Sequence, residues 1–268
     1  MEDGPEVYKI SFSEIENALQ RIPASINYLD TLRQSSKDYI SQYKFFRIES
    51  GEVFSISPDE NLHYYGGNLD SLIHILDFLL LKNINAKMIF TNSSEQIDSL
   101  IKSRFNFSPK PYIYMQADGA ATKDSTGLSL REATPADQSA VNHWYSEFNT
   151  ETKSSWPTPI ISSEPSNLYL IYRDEQFIGG VANTLQSDER FWIGRMWITP
   201  SQRQAGIGSL LMQEMLRISS ERNKKLSLLV SPDNRIAIKI YERFGFKVIA
   251  ENTIWYKPED KFITKDTI

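Results

Sequence analysis

One arginine and two glycines, spaced Arg203-x-x-Gly206-x-Gly208, are the residues of this chain that most directly suggest chemistry. An apolar run from Phe191 to Ile198 reads as a strand before them. After them, Leu211, Met212, Met215 and Leu216 recur at helical spacing. The motif therefore lies where a strand turns into a helix. There, backbone N–H groups without helical partners and the positive end of the helix dipole favour an anion such as a pyrophosphate. The glycines let the main chain approach the anion closely, and Arg203 can add charge-assisted hydrogen bonds. Two other nucleotide loops do not fit. A Walker loop ends in Gly-Lys-Ser/Thr, whereas Ser209-Leu210 follows Gly208. A dinucleotide loop requires a third glycine where Leu211 stands.

A second segment, Leu226 to Phe246, reads as a strand, a polar cap at Ser231-Pro232-Asp233-Asn234, a short helix and a glycine stop at Gly245. Its Asn234 suits a helix cap, and Tyr241 falls on the helix, where a tyrosine can pack or donate a proton. Together the two segments resemble the acetyl-CoA-binding core of the GNAT acyltransferase superfamily. That family pairs an Arg/Gln-x-x-Gly-x-Gly/Ala loop with a later Asn-x-x-Ala-x-x-x-Tyr-x-x-x-Gly-Phe segment. The resemblance runs from about Leu128 to Tyr256.

The resemblance implies an α+β fold on a mixed sheet, and transfer of an acyl group, usually acetyl, from coenzyme A to an amine by direct attack in a ternary complex. It assigns the pyrophosphate to Arg203, Gln204, Ala205, Gly206, Ile207, Gly208 and Ser209, and the amide-rich pantetheine arm to the edge of the strand at Met196, Trp197 and Ile198. A backbone N–H near Met196 or Trp197 would meet the charge that develops on the thioester oxygen. Asn234 and Ala237 would contact the cofactor, and Tyr241 would protonate the leaving thiolate. The family has no fixed base for the attacking amine. Glu147, Glu189 and His143 are the candidates, although a solvated surface group is the better reading of each. Trp144, Tyr145 and Trp156 could line an acceptor site within or beside the segment Asn149 to Ser166, or belong to the core. A small-molecule amine is the leading acceptor. A protein lysine or N-terminus, or a coenzyme A sensor without turnover, are the alternatives.

The elements that would hold these residues follow from the pattern. Leu128 to Ala133 reads as a first strand. Thr134-Pro135-Ala136-Asp137 then opens a helix, with Thr134 as N-cap and Asp137 in the capping-box place. Leu168–Tyr172 and Phe177–Ala182 read as a hairpin around Arg173-Asp174-Glu175-Gln176. Ala117 to Gly127 is small, polar and aperiodic, which places a linker at 119–127 between a first domain, 1–118, and a catalytic domain, 128–268.

Within the first domain the sequence echoes itself. Shifted by 139 positions, Gly67 meets Gly206, Leu72 meets Leu211, Ile97 meets Ile236, Ile101 meets Ile240, and Arg104-Phe105 meet Arg243-Phe244. This suggests two tandem GNAT-like folds, the first without its chemistry. In that copy Tyr64 stands for Arg203, Leu69 for Gly208, Glu95 for Asn234 and Lys102 for Tyr241. Asp70 adds a negative charge beside the would-be phosphate nest. The bland alternative is an unrelated α+β domain.

Composition sets the outer bounds. The chain has 268 residues, 40% hydrophobic and 24% charged, as in ordinary globular proteins. It has no cysteine and three histidines without metal-ligand spacing, so no thiolate nucleophile, disulfide or metal site is expected. Its net charge of −5 and its acidic start argue against a general nucleic-acid binder and a secretory signal. A cytoplasmic protein with no membrane association, a monomer or weak homodimer, is the expectation.

Overall fold

In a computed structural model, residues 6–84, 86–118, 127–152, 158–161, 168–203 and 206–257 are described. The elements alternate between strand and helix, and the chain separates into two compact units with breaks after residues 114 and 248. The predicted linker at 119–127 lies, apart from Gly127, outside the described residues.

In chain order the first half contains β1 (Val7–Lys9), α1 (Phe12–Leu19), α2 (Ile26–Gln34), α3 (Lys37–Ile40), β2 (Lys44–Ile48), β3 (Val53–Ile56), β4 (Leu62–His63), α4 (Leu69–Leu81), β5 (Met88–Asn92), α5 (Glu95–Arg104) and β6 (Ser108–Ala117). The second half contains β7 (Ser129–Glu132), α6 (Gln138–Thr152), β8 (Leu168–Arg173), β9 (Gln176–Gln186), β10 (Arg190–Ile198), α7 (Ile207–Glu221), β11 (Lys225–Val230), α8 (Arg235–Arg243) and β12 (Lys247–Tyr256).

The first unit is built on antiparallel pairs β1·β2, β2·β3 and β3·β4, followed by the parallel pair β4·β5. Its next strand comes from the other end of the sequence. β12 lies antiparallel on β5, with Asn252 opposite Asn92 and Tyr256 opposite Met88. Trp255 is fully buried there among Leu72, Ile75, Ile89 and Ile101, and its indole N–H meets Thr91 Oγ1 at 3.2 Å. The echo at 139 positions extends to the elements. Shifted by that amount, Ser108–Ala117 falls on Lys247–Tyr256, and α4 and α5 fall within a residue or two of α7 and α8.

In the second unit β7, β8, β9 and β10 run antiparallel in succession, and β10 then pairs parallel with β11. The hairpin between β8 and β9 turns at Asp174 and Glu175, both at positive φ. α6 opens as the sequence predicts. Asp137 Oδ2 accepts from the Thr134 N–H at 2.8 Å and from its hydroxyl at 2.8 Å, while Arg131 grips the same carboxylate in a fork. The apolar face of α6 (Val141, Trp144, Tyr145, Phe148) packs on Leu168, Leu170, Ala182 and Trp197. Trp144 and Tyr145 are therefore core residues rather than an aromatic wall. α7 is longer than its apolar spacing indicates and buries Leu211, Met212, Met215 and Leu216 as expected.

Candidate functional site

The two edges of β10 behave differently, and that difference makes the site. Against β9 the pairing persists from Phe191↔Gln186 to Ile198↔Gly179, but the register slips. Between Ile193↔Asn183 and Met196↔Val181, β10 uses one residue more than its partner, so Gly194 and Arg195 form a bulge. Against β11 the parallel ladder covers only Arg190↔Lys225 to Ile193↔Leu228. β10 continues to Ile198 and β11 to Val230 without further pairing. The strands thus part at the bulge, and an extended, amide-bearing chain could add to the opened edge. Met196, Trp197 and Ile198 lie on this stretch. Trp197 is buried, and the other two are half-buried.

β10 leads through a short turn, Pro200–Gln202, into the glycine motif. Gly206 takes φ 75° as the N-cap of α7, in the left-handed region that favours glycine. Among the described residues no side chain caps this helix. That contrasts with α4 at the echoed position. Asn68 caps α4 by accepting from Ser71 N–H at 3.1 Å, and the Tyr64 hydroxyl stands 2.8 Å from Asn68 O and 3.1 Å from Glu52 Oε2. The helix end in the first unit is filled by its own residues and faces a carboxylate. The start of α7 has no such side-chain cap among the described residues, and its first turn favours an anion. Gly208 leaves space beside it, since a Cβ there would meet only Ile240 Cδ1, at 3.9 Å. Ile207 is buried in the core, so only its backbone is offered. Ser209 N–H bonds to Gly206 O at 3.0 Å. Gln204 and Ala205 lie outside the described residues.

α8 brings the second segment alongside. Asn234 Oδ1 accepts from Ala237 N–H at 3.2 Å, so it serves as the helix cap. Ala237 is buried. Tyr241 is 1% exposed, and its hydroxyl has no hydrogen-bond partner among the described residues. A buried hydroxyl left unpaired is costly and calls for an explanation. Burial raises the Tyr241 pKa, keeping the phenol protonated and able to donate.

The two carboxylates singled out as bases are placed differently. Glu147 is exposed on α6. Glu189 precedes β10, pairs with Arg190 at 2.8 Å and stands four residues upstream of Ile193. At about 3.3 Å per residue, that is roughly 13 Å of strand from the bulge. His143 is also exposed on α6. Trp156 lies outside the described residues, as does most of the segment Asn149 to Ser166. Its described part holds on to α6, where Gln138 accepts from Ile161 N–H at 2.9 Å and donates to Pro159 O at 3.0 Å.

Sequence reasoning missed Glu151. Its carboxylate accepts both arms of the Arg203 guanidinium and, at 2.9 Å, the indole N–H of Trp197. Arg203 Nε donates to Ile198 O at 2.9 Å. Arg203, expected to face a pyrophosphate, is thus tied to β10 and α6. The available signal was spacing: Glu151 follows Trp144 by seven residues and Phe148 by three, which puts it on the flank of the apolar face of α6.

The mixed sheet of the second unit, with helices between its strands, is a GNAT fold. Residues 136–246 match the model of the acetyltransferase (GNAT) family, and the chain carries a domain of that family. The whole chain is also similar in fold to solved structures at low identity. A Drosophila protein shares 14% identity over 96% of this chain and 100% of its own, with a TM-score of 0.59. An acetyltransferase of the GNAT family from Colwellia psychrerythraea shares 13% over 94% and 98%, with a TM-score of 0.56. A GCN5-related N-acetyltransferase from Sphaerobacter thermophilus shares 15% over 100% and 98%, with a TM-score of 0.55. Among the described residues, no helix is long and apolar enough to cross a membrane, and no three or more His, Cys, Asp or Glu side chains cluster as metal ligands.

Proposed function

We propose that this chain transfers an acetyl group from acetyl-CoA to a primary amine of a small molecule, by direct attack in a ternary complex. The observation that carries this reading is the parting of β10 from β11 beside the uncapped start of α7. The amides of Gly206, Ile207 and Gly208 receive the pyrophosphate, and the opened edge at Met196–Ile198 pairs with the pantetheine arm. A backbone N–H at the bulge stabilises the oxygen of the thioester as the amine nitrogen bonds to its carbon. The carbon–sulfur bond breaks, and the Tyr241 hydroxyl gives its proton to the departing thiolate. The amine's surplus proton leaves through water or a carboxylate. Glu147 and Glu189 are the candidate carboxylates.

On the same reading the first unit is a second, degenerate copy of the fold. The supporting observations are the echoed positions of α4, α5 and β6 and the filled start of α4. It serves structure rather than catalysis. No nucleic acid or membrane takes part.

The test is thermal unfolding with and without acetyl-CoA, for the parent and for Gly208→Asp. The substitution adds a charge where the fold leaves room, so the variant should melt like the parent. A donor at a hundredfold excess over its Kd should stabilise the parent by about 2.7 kcal/mol and the variant not at all. A parent that does not respond at millimolar acetyl-CoA would overturn the reading. A responsive parent is then screened for transfer across an amine panel.

A further inference from the structure

We propose that Glu151 is a positioning residue, holding Arg203 against the end of β10 until a phosphate group of the donor competes for the guanidinium. The inference rests on the donor assignment above and concerns what this chain adds to it. Arg203 is held at two points, by Glu151 across both guanidinium arms and by Ile198 O at Nε. A forked pair of this kind fixes the plane of the guanidinium as well as its position. Glu151 is itself held from below, by the indole N–H of Trp197, which is buried in the core with Trp144 and Tyr145. Once the fork opens, the carboxylate stays on that indole, while the guanidinium is left with Ile198 O alone and can turn about it.

Exposure fits that division. The two side chains keep 39% and 42% of their surface in water, so the pair can open at little cost. The Arg203 backbone also stands only three residues before Gly206, whose amide begins the uncapped end of α7. An anion seated at α7 and the carboxylate of Glu151 are thus rival acceptors for one fork. Glu151 has a further consequence of its own. Both its oxygens accept hydrogen bonds and Arg203 lowers its pKa, so it is a poor base and stays ionised as a rival.

The rivalry predicts a coupling that simple structural support would not give. Coenzyme A is titrated calorimetrically into the parent, Glu151→Gln, Arg203→Gln and the double variant. Gln at 151 keeps the bond from Trp197 and removes the competing charge. We expect it to tighten coenzyme A about threefold to fivefold, the scale of a half-exposed ion pair. Arg203→Gln should weaken binding, and the substitution at 151 should have no effect once Arg203 is gone. Parental or weaker affinity in Glu151→Gln that melts like the parent would overturn the proposal. So would an equal gain in the absence of Arg203. Should Glu151→Gln melt well below the parent, Arg203→Lys decides. Lysine keeps the charge for phosphate but cannot make the fork, so affinity at or above the parent's supports the rivalry, and a loss as large as in Arg203→Gln refutes it. A parent that does not bind coenzyme A at all fails the donor assignment, which the parent reports by itself.

Discussion

A Cβ added at Gly180 would stand 2.5 Å from the indole ring of Trp144. β9 therefore approaches α6 as closely as a residue without a side chain allows, and Trp144 fills the space that results. Gly180→Ala should force a shift of the ring or of β9 and cost about 1–3 kcal/mol. Chemical denaturation of the variant measures this. A change within a few tenths of a kcal/mol would mean that Trp144 has room to move.

Tyr241→Phe removes one hydroxyl from a site where it bonds to nothing among the described residues. Stability should therefore hold or rise slightly, because a buried unpaired group is lost. Turnover should fall by roughly 10²–10⁴, the usual contribution of a positioned acid, while donor affinity is retained. Steady-state kinetics beside coenzyme A titration separates the two. Undiminished turnover would assign Tyr241 to packing against Phe246, whose ring centroid lies 5.5 Å away.

Asp137 ties the start of α6 to β7 through Arg131, which holds its pKa well below the ordinary carboxylate value, with the Thr134 backbone adding to the effect. A depressed folded pKa means stability that is present above the unfolded value of about 4 and is lost as pH falls through the folded one. Asp137→Asn should cost about 1 kcal/mol at neutral pH, as a lost cap does, and should flatten the acid limb of the stability profile below about pH 4. Melting followed from pH 7 to pH 2 checks both.

Trp255 lies near the C-terminal end of the described chain but is fully buried in the first unit, against Leu72, Ile75 and Ile89. Trp255→Ala should cost about 3–5 kcal/mol, and the damage should appear in the first unit. Hydrogen exchange would show β5 losing protection while β9 and β10 keep theirs. The reverse pattern would contradict the pairing of β12 with β5.

What the sequence revealed and what it hid follow from locality. The strand, glycine turn and helix around Gly206 lie within some 30 consecutive residues, and each carries a local signature in spacing, cap or dihedral. The capping box at Thr134 and Asp137 is local in the same way. The place of Glu151 on the flank of α6 was legible in spacing, but its pairing was not, because its partners, Trp197 and Arg203, stand 46 and 52 positions away. No periodicity records a contact of that kind. The placement of β12 was hidden for another reason. Shifted by 139 positions, β6 and β12 coincide, so the repeat marks both as the same kind of strand and cannot say which unit each completes.

That placement bears on how the molecule is made. A ribosome delivers the first 104 residues, through the end of α5, long before Lys247–Tyr256 emerges. At about 5–20 residues per second, the first unit waits on the order of ten seconds or more with the edge of β5 unsatisfied. Domains usually fold in the order of their synthesis. Here the half that is translated first is the half that must be finished last, and until then its open edge is a target for chaperones or for another chain.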